Sequence, residues 1–141
     1  MLDKHLILWP MAALAALTFF VLTVMPFVRV VAVRSGKARV HDFKLGESER
    51  VPESARLINR NYMNLLELPV LFYVACLIVF ADDRVNALTL GLAWAFVALR
   101  YAHSIVHLSV NIVLLRLALF ASAATVLLGL WLAIFWQIAG H

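Results

Sequence analysis

Charge is what this chain has least of. Lysine, arginine, aspartate and glutamate make up 14% of its 141 residues, against roughly a quarter in an ordinary soluble domain. Hydrophobic residues supply 65%, which excludes that class and points to a protein solvated largely by lipid. A single cysteine, Cys76, excludes an intrachain disulfide, and its place within an apolar run reads as a small buried hydrophobe. Alternation of apolar and polar residues is missing as well. The apolar runs are continuous, which excludes an outer-membrane barrel. Repeats and low-complexity segments are absent. Acids are outnumbered by bases, 8 to 12, for a formal net charge of +4. The bases are scattered over one loop and several helix ends with acids among them, so the surplus indicates topology and not nucleic acid.

What is present is four apolar stretches in one domain, 1–141, with approximate spans at 6–33, 54–80, 87–108 and 112–138. At ~1.5 Å per residue each is long enough for a hydrocarbon core of roughly 30 Å. The fold class expected is an all-α membrane protein, a four-transmembrane-helix bundle. The first stretch is too long for the apolar core of a cleaved signal peptide and reads as a retained span. Pro10 suits a first turn, and Pro26 is expected to kink or end the regular helix. Pro69 falls inside the second span, where membrane helices tolerate proline. Ser109-Val110-Asn111 is the only room for a turn between the last two spans, which makes them a tight antiparallel hairpin.

The segment 34–53 is the one extensive polar loop. It holds Arg34, Lys37, Arg39, Lys44 and Arg50, with Arg29 beside it, whereas the opposite side has little beyond Lys4 and Arg84. By the lysine and arginine asymmetry the loop is cytoplasmic and both termini lie across the membrane. Trp9, Trp131 and Trp136 then mark the interface near the termini.

Against this background a few polar residues stand out. Arg60, Asn64 and Glu67 recur at i, i+4 and i+7, one helix face at the threshold of a run without charge. Arg100, His103 and His107 recur near the end of the third span, and Arg116 falls in the first turns of the fourth. With Arg56 they gather in the cytoplasmic half of the bundle. Ionisable residues at such depth point to function. Several arginines with one carboxylate leave excess positive charge that an anion would offset, and a guanidinium suits carboxylates. A cation beside a thiol also favours the thiolate. His103 and His107 have the i, i+4 spacing of a helical metal pair, but no acidic or cysteine ligand in the nearby sequence completes a set.

Arg60-x-x-x-Asn64-x-x-Glu67 followed by proline, then Arg100-Tyr-Ala-His103 and a basic start to the fourth span, resembles the MAPEG family, the membrane-associated proteins in eicosanoid and glutathione metabolism. The resemblance implies a four-helix protomer, a homotrimer, and glutathione as cosubstrate between protomers at the cytosolic side. It implies glutathione binding by Arg60, Asn64 and Glu67, with Arg100, Tyr101, His103 and His107 in the region of the third helix that contacts it. Arg116 matches the thiolate-stabilising arginine. His107 departs from the tyrosine of the eicosanoid enzymes, and Leu68 from an aromatic residue of some members. The stretch Asn64 to Tyr73 looks most like prokaryotic members, which implies an inner-membrane location. The implied activity is glutathione-dependent conjugation or reduction of a lipophilic small-molecule substrate. Two rivals use the same residues. One is a non-catalytic protein of this fold that binds anionic lipid or a partner; the other is a small proton-coupled exporter, which Glu67 beside arginines near one face fits less well.

Overall fold

The computed structural model describes residues 2–44 and 49–140, so positions 45–48 of the polar loop lie outside the described residues. Its α-helices are α1 (Leu8–Arg34), α2 (Glu53–Leu66), α3 (Leu68–Ala81), α4 (Ala87–Leu108) and α5 (Val113–Ala139), with short 3-10 turns at Lys4–Ile7 and Val40–Phe43. Four spans are long and apolar enough to cross a membrane: Lys4–Arg34, Glu53–Ala81, Ala87–Leu108 and Val113–Ala139. The second is α2 and α3 end to end.

Two expectations about proline are corrected. Pro26 neither ends nor interrupts α1, which continues to Arg34. Pro69, expected inside one continuous helix, instead sits at the start of α3 after a one-residue break. Glu67 leaves the helical region there (φ −88°, ψ −96°). Pro69 has no N–H for the Leu65 carbonyl, and its ring crowds the preceding turn. The chain therefore breaks before it and restarts with proline in the first turn, where the missing N–H costs nothing.

Caps fix the other boundaries. Asn86 accepts from the Thr89 N–H at 3.0 Å while Thr89 accepts from the Asn86 N–H at 3.1 Å, a reciprocal cap that starts α4. The α4–α5 hairpin turns at Asn111, which adopts a left-handed backbone (φ 46°) that asparagine tolerates better than most residues. Its N–H donates to the Val106 carbonyl at 2.8 Å and closes the turn.

The centre is packed from all four spans. Leu14, Val21, Leu65, Phe72, Cys76, Phe96, Leu127 and Leu130 are buried there, and the Phe72 and Phe96 rings stack at 4.8 Å. Phe19, Phe20, Phe27, Leu128, Leu132 and Trp136 face outward. In lipid such outer apolar surface needs no cover, and close packing rather than water exclusion holds the helices together.

The end of the bundle that carries the termini is tied by ion pairs. Lys4 Nζ meets Asp83 Oδ1 at 2.7 Å and lies over the Phe80 ring. Arg84 Nε meets Asp82 Oδ2 at 2.5 Å, and its guanidinium donates to the Gln137 carbonyl. The opposite end carries the polar loop and the α4–α5 turn. Every candidate site residue but one faces that half.

Candidate functional site

A buried polar seam runs between α2 and α4. Arg100 is fully buried, and its Nη2 donates to the Asn64 carbonyl at 2.6 Å. That oxygen is available because α2 ends at Leu66: the last carbonyls of a helix have no intrahelical donor. Pro69 thus acts at a distance, since the break it forces supplies the acceptor that anchors Arg100. Seven residues deeper along α4, His107 Nε2 lies 3.1 Å from the Leu57 carbonyl. The two contacts set the antiparallel register, and between them Asn61 comes level with His103 and Ser104. The His103 and His107 rings stack at 5.8 Å.

Much of this seam lacks hydrogen-bond partners among the described residues. Arg100 Nε and Nη1, both amide atoms of Asn61, Ser104 Oγ, and Nδ1 of His103 and His107 are buried without a hydrogen bond. An unsatisfied buried polar group costs about 1–3 kcal/mol. Buried polar groups in folded proteins are nearly always paired, so each of these calls for a partner such as an ordered water.

Toward the loop the seam gives way to a cavity of about 150 Å³ lined by Glu53, Arg56, Leu57, Arg60, Asn111 and Arg116. Arg116 is held in it by a hydrogen bond from Nη1 to Asn111 Oδ1 at 2.9 Å. A larger cleft of about 450 Å³ adjoins it and shares Glu53, Leu57 and Asn111. Three guanidinium groups and one carboxylate, that of Glu53, line the cavity.

With this geometry in hand, one comparison decides the affiliation: the MAPEG family model matches residues 7–136, nearly the whole chain. The chain belongs to the MAPEG family. No curated protein and no solved structure matched it. Membership accounts for the four-span bundle and places the chain among membrane proteins of the glutathione and eicosanoid type. The matched region contains the whole seam and the cavity.

Within this MAPEG chain the singled-out residues do not all lie on one surface. Arg60 is exposed at the cavity mouth, Asn64 is half-buried, and Glu67 is exposed at the helix break. The i, i+4, i+7 face is therefore interrupted at its last member. Arg100, His103 and His107 line the seam, and Arg116 the cavity. Tyr101 is the exception. Its hydroxyl donates to the Ala13 carbonyl of α1 at 2.8 Å, which ties α4 to α1 on the side away from the seam. Asn61, by contrast, escaped the sequence reading. Its adjacency to Arg60 and its i+4 relation to Leu57 were visible, but only the α2–α4 register shows that it is buried among unpartnered groups.

Proposed function

We propose that the chain is a membrane-bound glutathione-dependent transferase or peroxidase-like protein that conjugates or reduces lipophilic electrophiles. One observation carries this reading beyond family membership. Arg100 and Arg116 are held by neutral oxygens, the Asn64 carbonyl and the Asn111 amide. Such acceptors orient a guanidinium without neutralising it, which leaves its charge for an incoming anion. Glutathione has two carboxylates, an ammonium group and an ionisable thiol. Arg60 and Arg100 suit the carboxylates, Glu67 the ammonium, and Asn64, His103 and His107 the peptide polar groups. In a homotrimer a neighbouring copy would cover Glu67, which is exposed at the helix break.

Arg116 takes the role of thiolate stabiliser. A fixed cation beside the sulfur favours loss of the thiol proton to solvent and presents the nucleophile. The sulfur lone pair then forms the new bond to the electrophilic atom as the leaving group departs. The rate gain comes from a cation already in place and from positioning. An electrophile dissolved in the bilayer can approach from the apolar side of the same helices. In this reading the loop end faces the cytoplasm of a prokaryotic cell across the inner membrane.

The test is calorimetric titration of the detergent-purified full chain with glutathione, beside Arg60→Ala. A lost charge-assisted hydrogen bond corresponds to about tenfold or more weaker binding. Equal affinities for the two proteins would remove the binding assignment. His107 favours a second reading, binding without turnover: where eicosanoid enzymes carry a phenol, this imidazole is engaged with the Leu57 carbonyl. Single-turnover measurement with an aromatic halide electrophile separates the two, since conjugate forms only in the first.

A further inference from the structure

Away from the seam, the loop end of α1 carries a further cation, Arg29, with no charged partner among the described residues. Arg29 lies five residues before the end of α1, about 7–8 Å inside the helix terminus. Its Nη2 donates to Asn59 Oδ1 at 3.1 Å, and its guanidinium lies 5.5 Å from the centre of the Phe43 ring. Both partners are neutral. They orient the group and leave its charge uncompensated.

Beside Arg29 a groove of about 340 Å³ opens between α1 and the Val40–Phe43 turn, lined by Arg29, Val30, Val33, Arg34, Val40 and Phe43. Its walls are hydrocarbon apart from the two guanidinium groups. Val30, Val31 and Phe27 continue the apolar surface along α1 toward the membrane centre, all exposed. The nearest acid in the turn, Asp42, is engaged by the Arg39 N–H at 2.8 Å. Lys37, Arg39 and Lys44 add positive charge around the opening.

We propose that this groove holds one acidic phospholipid, with its phosphate between Arg29 and Arg34 and an acyl chain along Val33, Val30 and Phe27. The depth of Arg29 matches the interfacial zone, where a helix ending at Arg34 meets lipid headgroups. The valine and phenylalanine walls select an amphiphile over a free phosphate, which would leave them exposed to water. The site shares no lining residue with the α2–α4 seam or its cavity, so it stands or falls independently of glutathione binding. Lipid held here would brace α1 against the polar loop and α2.

Native mass spectrometry of the full chain, released from detergent with short-chain phosphatidylglycerol or phosphatidylcholine, tests this. One arginine at a membrane surface corresponds to about a five-fold preference for acidic lipid. The wild-type chain should retain phosphatidylglycerol over phosphatidylcholine by at least that factor, and Arg29→Gln should lose about five-fold of it. Val40→Asp is the second variant: Val40 is 77% exposed, so the fold tolerates the change while a carboxylate enters the groove. It should lower the preference similarly and leave glutathione binding unchanged. Lys37→Gln, outside the groove, should lower the preference by less than Arg29→Gln does, and an equal loss would overturn the proposal. Equal retention of the two lipids by the wild-type chain would overturn the proposal. So would a preference that survives in either groove variant, or displacement of the lipid by an equal concentration of glycerol phosphate.

Discussion

The two ends of the bundle use the same residue types to opposite purpose. At the end with the termini, cations meet carboxylates: Lys4 with Asp83, and Arg84 with Asp82. At the loop end, Arg29, Arg100 and Arg116 are each held by a neutral oxygen, from Asn59, Asn64 and Asn111 respectively. A carboxylate both orients and neutralises; an amide oxygen only orients. The first arrangement closes the structure on itself, and the second, in the proposed reading, leaves oriented charge for an incoming anion. Two acids temper the contrast, Glu67 at the helix break and Glu53 in the cavity wall, yet neither is the group that holds Arg100 or Arg116.

Substitutions at the two ends should therefore have opposite signatures. The largest effect is expected from Arg100→Met. An apolar side chain of similar length relieves a buried charge, so thermal stability should hold or rise, while glutathione affinity should fall by about tenfold or more. A drop in Tm with affinity intact would place Arg100 with the structural ion pairs and erase the distinction. Asn111→Gly comes next. Glycine accepts the left-handed backbone at least as well, so the hairpin should keep its stability. Arg116 loses its acceptor, and the thiolate fraction of bound glutathione should fall severalfold in ultraviolet difference spectra. An unchanged thiolate fraction would mean that Asn111 does not position Arg116. The smallest effect belongs to the other end. Arg84→Met should cost roughly 0.5–1 kcal/mol, because its partner Asp82 is nearly half exposed. Glutathione affinity should not change. Loss of affinity there would show that the two ends are coupled.

Much of the frame was legible because lipid imposes simple rules. Long uncharged runs announced the spans, whereas the Asn86 cap that starts α4 came to light only in the structure. The site was legible only by type. Arg60, Arg100, His103, His107 and Arg116 stood out as polar residues where apolar ones belong, and the fold brings them to one half of the bundle. The errors have specific physical sources. Pro69 was read as tolerated inside one continuous helix, but loss of the Leu65 hydrogen bond breaks the helix at Glu67 and ends the Arg60/Asn64/Glu67 face early. Tyr101 entered the site reading through the family resemblance alone, and in the structure its hydroxyl donates to the Ala13 carbonyl of α1. No side-chain pattern encodes such a contact. Asn61 was passed over because a buried amide looks the same in a sequence as an exposed one.

The most direct measurement concerns Arg116, since stabilising a thiolate is the task that needs an oriented, unneutralised cation. Ultraviolet difference spectra of glutathione bound to the wild-type chain at neutral pH should show a thiolate band, and Arg116→Ala should abolish it while the protein still binds glutathione. Absence of the band from the wild-type complex, or its persistence unchanged in Arg116→Ala, would contradict the assignment of the loop-end arginines to an incoming anion.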